Sequence, residues 1–198
     1  MLVVGLTGGI GTGKTTVAGL LGRRGAEVVD CDGLGRLVVE PGGRAYDGVV
    51  DAFGPTVVAA DGRLDRPALA RIVFRDPAAL ARLNQVTHPA IDAEIAGRIA
   101  ASSAPVVVLD LAVLVESSLG AGHYQRVVVV EAPLELRLDR LAQRGVERAD
   151  AAARIASQAS DEQRRAVADH LLCNDGDLGA LDAQVGRLWP VLAGPPTG

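Results

Sequence analysis

Aromatic residues are scarce in this chain. One Trp, two Tyr and two Phe occur among 198 residues, so a core has to be built from Val, Leu, Ile and Ala. Cysteine is nearly missing as well. Cys31 and Cys173 are the only two, without the CxxC spacing of a zinc or redox site and too few for a disulfide framework. They read as thiols in a reducing compartment. No stretch approaches the roughly 18 apolar residues of a membrane span. The N-terminus lacks a basic segment followed by a long apolar one, so no signal peptide is expected. Positive charge is in deficit too: a net charge of −4 argues against a nucleic-acid binder that works by neutralising phosphates. The most pointed scarcity is lysine. Lys14 is the only one, and every other long basic side chain is Arg. What remains, 48% hydrophobic and 22% charged, is the composition of a globular protein. The length suits one domain, perhaps with an insert, in a cytoplasmic setting.

The lone lysine sits in Gly8-Gly9-Ile10-Gly11-Thr12-Gly13-Lys14-Thr15, which is G-x-x-x-x-G-K-[ST], the Walker A pattern. Leu2-Val3-Val4-Gly5-Leu6 before it reads as a buried strand, and a helical pattern opens at Thr16-Val17. A glycine-rich turn between strand and helix lets successive N–H groups wrap a phosphate chain. The helix then aims its unpaired N–H groups and positive dipole end at the same place. Lys14 can reach the β- and γ-phosphates, and the Thr15 hydroxyl can complete the coordination of Mg²⁺. A compact ammonium on a flexible stem suits that post better than a guanidinium.

A second strand, Ala26 to Asp30, ends in Asp30-Cys31-Asp32. In open α/β sheets ligands gather at the carboxyl ends of strands. In extended backbone Asp30 and Asp32 share a face; if the chain turns at Cys31, only one looks toward the cleft. One carboxylate could accept a proton from an alcohol and the other orient a metal-bound water, the alternative being capping of the next helix. Arg36 follows closely enough to share the site. Residues 33–60 read as a loop-and-helix excursion. Residues 60–101 carry apolar side chains at helical spacing, with Pro77 and Pro89 dividing the run; His88, just before Pro89, is placed at a helix start or turn. Strands at Val106 to Asp110 and Val127 to Val130 read as buried on both faces. Asp110 and Glu116 are candidate strand-end carboxylates for a metal, or loop residues. After Pro133 the chain turns helical and Arg-rich. Arg140 and Arg144 are spaced to face one way, whereas Arg154 and Arg165 fit a solvated face paired with Asp150 and Asp161. A short strand at Leu171 to Cys173, a turn at Asn174 to Asp177, a helix to Leu192 and a frayed tail from Gly194 complete the chain.

Over nearly its whole length the sequence resembles the dephospho-coenzyme A kinase family. The resemblance rests on Gly5 to Val17, on Asp30-Cys31-Asp32 with Arg36 and Val38 to Gly42, and on Phe53-Gly54, Asp61-Gly62, Leu64 to Arg66, Val73-Phe74, Leu83-Asn84 and His88-Pro89. It continues through Arg140-x-x-x-Arg144, Gln158, Arg164, Ala168-Asp169 and Asn174. The implied fold is α/β: a three-layer P-loop NTPase core with a parallel five-stranded sheet, a helical substrate-binding insert and a helical lid. Its expected bounds within a single domain, 1–198, are core about 1–35, 105–132 and 168–194, insert about 60–101 and lid about 137–165. The implied reaction moves the γ-phosphoryl of ATP to the ribose 3′-hydroxyl of dephospho-CoA. The resemblance makes Asp32 the base, Lys14 and Arg140 the charge stabilisers, and Thr15 the Mg²⁺ ligand. Gly9, Gly11, Thr12, Gly13, Lys14, Thr15, Thr16, Arg144 and Asn174 are expected to bind ATP, and Asp32, Arg36 and His88 the second substrate. Monomer and weak homo-oligomer both remain open, with no nucleic-acid or membrane partner. Two departures stand out: Cys31 where the family usually has Ala, and Ala112 where it usually has Pro. A GTPase is disfavoured because an Asn-Lys-x-Asp motif needs a second lysine.

Overall fold

The computed structural model describes residues 1–117 and 119–194, so the expected tail lies, from 195 on, outside the described residues. The elements in order are β1 Leu2–Thr7, α1 Lys14–Gly22, β2 Glu27–Asp30, α2 Cys31–Leu37, α3 Tyr46–Phe53, a 3₁₀ turn Pro55–Val57, α4 Arg66–Val73 and α5 Pro77–Ala101. They continue with β3 Val106–Asp110, β4 Arg126–Glu131, α6 Leu134–Ala142, α7 Arg148–Ala156, α8 Asp161–Ala166, β5 His170–Cys173 and α9 Leu178–Ala193.

Among the described residues the five strands form one parallel sheet in the order β2-β3-β1-β4-β5. The unalternating Val runs of β3 and β4 are explained by burial on both faces. One face packs Val4, Leu6, Val108 and Val128 against Leu20 and Leu21 of α1 and Leu181 and Val185 of α9. On the other, Val107, Leu109 and Val129 are equally buried. Strand β1 lies between β3 and β4, so the loop after it stands where the strand order reverses, the usual ligand position of an open α/β sheet.

The chain divides into two compact units. Met1–Asp30 with Arg98–Gly198 carries the sheet, and Cys31–Gly97 forms the other. The second unit has its own apolar cluster of Val49, Val57, Leu64, Leu69, Val73 and Ala79. Within it Asp65 caps α4 by accepting the Ala68 N–H at 2.9 Å, which fixes where that helix begins.

Two local expectations are corrected. Pro77 starts α5, but Pro89 lies inside it and does not divide it. A proline at that point costs about 3 kcal/mol through its missing N–H and its clash with the preceding turn. The helix survives because Pro89 is exposed, while Thr87, Ala90, Ile91 and Ile95 on the other face are buried. His88 is therefore a half-buried residue of a continuous helix, not a residue of a turn. Likewise β2 stops at Asp30 and α2 starts at once with the buried Cys31. Asp30 and Asp32 thus belong to different elements, and the shared face of extended backbone does not apply to them.

Candidate active site

The loop from Gly8 to Gly13 joins β1 to α1. Gly11 and Gly13 hold φ of 83° and 94°, a region that side chains with a Cβ rarely adopt. Gly13 is the N-cap of α1, and neither a side-chain cap nor an acidic residue is present in its first turn. A helix start of that kind is suited to an external anion. Thr15 and Thr16 are exposed in that turn. Thr12 is not: it is 1% exposed, and its hydroxyl donates to Gly9 O at 2.9 Å, so its side chain braces the loop from within.

Lys14 Nζ is ion-paired and hydrogen-bonded to Asp110 Oδ1. Asp110 closes β3 and is in register with Asp30 at the end of β2. Two carboxylates and the only lysine therefore share the carboxyl edge of the sheet beside the loop. Glu116, a candidate alongside Asp110, goes elsewhere. It accepts the Ala159 N–H at 2.8 Å and Arg164 Nη2 at 3.0 Å. Arg164, 1% exposed, thereby ties the start of α8 to the segment after β3. Arg165 pairs with Glu131 at 2.7 Å, rather than serving only as one half of a pair with Asp161 on a solvated face.

The outer side of the loop is held by arginines. A loop that points N–H groups inward turns carbonyls outward, and those need donors. Arg140 Nη1 donates to Gly11 O at 3.3 Å and Thr12 O at 3.4 Å, while Nη2 donates to Asn174 O and Oδ1, both at 3.1 Å. Asn174, 7% exposed, returns its Nδ2 to Thr12 O at 2.8 Å. Arg137, one turn earlier on α6, donates from Nε to Ile10 O at 2.9 Å and from Nη1 to Asp161 at 3.4 Å. Burial loosens the hold of Arg137 on its proton, and the nearby Asp161 carboxylate opposes that. Sequence pattern alone assigns Arg137 no part in the site. Its spacing of three from Arg140, one helical neighbour away, is the signal that could have found it.

Arg140, Arg144, Asn174, Thr16 and Gly13 line one cavity of about 460 Å³, with Leu178 and Leu181 on its wall. The size is that of a small-molecule site. Six of the residues expected at a nucleotide site, Gly13, Lys14, Thr16, Arg140, Arg144 and Asn174, are thus gathered in the sheet-bearing unit around one helix start. Gly9, Gly11, Thr12 and Thr15 belong to the same unit, whereas the residues expected to bind the second substrate, Asp32, Arg36 and His88, belong to the other. Asp32 and Arg36 are exposed, in the first and last turns of α2, four residues apart and so on one face of that helix. His88 lies on α5.

The hard oxygens that could hold a Mg²⁺ are the exposed Thr15 hydroxyl and the carboxylates of Asp30 and Asp110. Among the described residues no cluster of three or more His, Cys, Asp or Glu could hold a metal by itself. No described helix is long and apolar enough to cross a membrane.

The sequence matches the family model for dephospho-CoA kinase over residues 2–180. It is 49% identical over 190 residues to the dephospho-CoA kinase of Frankia casuarinae, covering 96% of this chain and 82% of that protein. The corresponding figures for the dephospho-CoA kinase of Thermobifida fusca are 46% over 194 residues, 97% and 96%. The fold is similar to the crystal structure of TT1252 from Thermus thermophilus, with a TM-score of 0.84, 35% identity, and coverage of 96% of this chain and 97% of that one. With identity of this degree over nearly the full length of the proteins compared, this chain belongs to the dephospho-CoA kinase family, the ATP-dependent kinases of the last step of coenzyme A synthesis.

Proposed function

We propose a division of labour for the transfer of the ATP γ-phosphoryl to the ribose 3′-hydroxyl of dephospho-CoA, giving coenzyme A and ADP. Asp32 takes the proton of the 3′-hydroxyl as its oxygen attacks the γ-phosphorus and the bond to the β-phosphate oxygen breaks. Phosphoryl transfer runs through a loose transition state, so positioning and electrostatics do most of the catalysis. The observation that carries the reading is the loop from Gly8 to Gly13 delivering Lys14 and an uncapped helix start to the carboxylate-bearing edge of the sheet.

In this reading the adenosine of ATP occupies the cavity between Leu178, Asn174 and Arg144, with its phosphates on the amides of Gly9, Gly11, Thr12, Gly13, Lys14 and Thr15. Lys14 turns from Asp110 to the β- and γ-phosphates. Arg140 adds positive potential through the loop carbonyls it holds. Thr15 would hold Mg²⁺, with Asp30 or Asp110 orienting its water; the bound ion neutralises charge on the transferring group. Arg36, His88 and the rest of the second unit bind dephospho-CoA, and the arginine-bearing helices from 137 to 165 act as a lid. The composition supports a cytoplasmic enzyme.

The test is Asp32→Asn. Removing a general base costs about 10²–10⁴ in rate, so turnover should fall by orders of magnitude while ATP affinity, measured by titration, stays within twofold. Near-normal turnover in this variant would remove Asp32 from the role of base.

A further inference from the structure

Gly9, Gly11 and Thr12 serve the phosphates, whereas Ile10 between them has no such role although its side chain, N–H and carbonyl are all engaged. Its side chain is packed against a cluster formed by Leu138 and Leu141 of α6 and Ala151 of α7, with Val146 and Ile155 beside it. Its N–H donates to Gln158 Oε1 at 2.8 Å, from the segment just after α7. Its carbonyl accepts Arg137 Nε at 2.9 Å. Side chain, donor and acceptor of one loop residue are thus all held by the α6–α7 arm. Arg137 is nearly completely buried, at 3% side-chain exposure, and its Nη2 has no hydrogen-bond partner among the described residues. That nitrogen lies so close to Gly9 that a Cβ there would meet it at 2.4 Å.

Burying a charged group this far is unfavourable unless its position is needed. Ordinary helix packing would be satisfied by an apolar side chain at 137, as it is at 138 and 141. The guanidinium pairs with Asp161 at 3.4 Å through Nη1, and its Nε is given to keeping the Ile10 carbonyl turned outward. Rotating the Ile10 peptide would bring that carbonyl into the concave side, where it would repel a phosphate and remove a donor. We infer that Arg137 and Gln158 are positioning residues for phosphoryl transfer, which lock the two peptide groups flanking Ile10 and couple the α7 arm to the phosphate-binding side of the loop. The chemical class they sense through Ile10 is a di- or triphosphate, not a nucleoside.

This inference deepens the kinase reading, and binding of ADP to the wild-type protein checks that reading separately. Gln158 is half-buried, so Gln158→Met, of similar length without a good acceptor, is the primary variant; Arg137→Gln is the second. Titration should give a Kd for ADP weakened about five- to tenfold, the effect of one net hydrogen bond, with the Kd for adenosine unchanged. Hydrogen exchange should show ADP slowing residues 148–156 in the wild type, adenosine doing so less, and the ADP effect disappearing in Gln158→Met. An ADP affinity within twofold of wild type overturns the inference. So does an equal loss for ADP and adenosine, because a merely structural role would weaken both. If Arg137→Gln fails to fold, Gln158→Met still decides the matter.

Discussion

Asn174→Ala offers the sharpest test of how the loop is held, because the consequences can be worked out bond by bond. The side chain donates to Thr12 O at 2.8 Å and accepts from Arg140 Nη2 at 3.1 Å. Thr12 O keeps only Arg140 Nη1 at 3.4 Å, and Arg140 Nη2 keeps the Asn174 backbone carbonyl at 3.1 Å. The loss is one neutral bond, about 1 kcal/mol, and part of a charge-assisted one, about 1.5 kcal/mol, so about 2–3 kcal/mol in all. For a chain of this size each kcal/mol lowers Tm by about 2–4 °C, which gives a fall of about 5–10 °C. Gly13 supplies the internal control. A Cβ at Gly13 would lie 2.2 Å from Asn174 Nδ2, on backbone with φ 94°. Gly13→Ala therefore costs about 1–2 kcal/mol of left-handed strain, plus the same 2–3 kcal/mol because it expels the Asn174 amide. In the Asn174→Ala background only the strain is left. A double-mutant cycle read by chemical denaturation should show a coupling of about 2–3 kcal/mol, where independent sites would agree within about 0.5 kcal/mol. Additive losses would refute the proposition that Asn174 is what requires a glycine beyond its φ angle.

Other perturbations have comparably definite outcomes. Lys14→Arg conserves charge but replaces a compact donor with a planar fork; steady-state kinetics should show turnover crippled, and an active enzyme would mean that the geometry at Lys14 is tolerant. Arg164→Met removes the guanidinium that Glu116 accepts at 3.0 Å; Glu116 is exposed and keeps the Ala159 N–H, so the loss is that of one charge-assisted hydrogen bond, about 1.5–3 kcal/mol, and an unchanged urea midpoint would show the pair to be dispensable. Residues 137–165 should exchange amide hydrogens more slowly when a non-hydrolysable ATP analogue binds, and an unchanged pattern would remove the lid.

Much of this was legible in the sequence for physical reasons. The phosphate loop is a local device whose glycines, lysine and flanking strand are all within about sixteen residues, so spacing alone discloses it. The buried parallel strands show because Val and Leu do not alternate in β3 and β4. What could not be read depends on tertiary partners. Pro89 looks like a helix end until Ala90, Ile91 and Ile95 are seen to be buried beside it. Glu116 looks like a second metal carboxylate until Arg164, 48 residues later, is found bonded to it. From the sequence Arg140 reads as a charge for a phosphate, and Arg137 has no part in the site. Their contacts with the carbonyls of Ile10, Gly11 and Thr12 follow from the direction in which the loop turns its peptides, which no local pattern records.

Substrate choice is read out by coupled ADP release from the purified protein. Dephospho-CoA should be compared with adenosine, AMP and shikimate at equal concentration with Mg²⁺ and ATP. Turnover with dephospho-CoA should be at least about a hundredfold above the other three, the loss expected when a substrate lacks its remote binding groups. Comparable or faster ADP release with AMP or shikimate would contradict it.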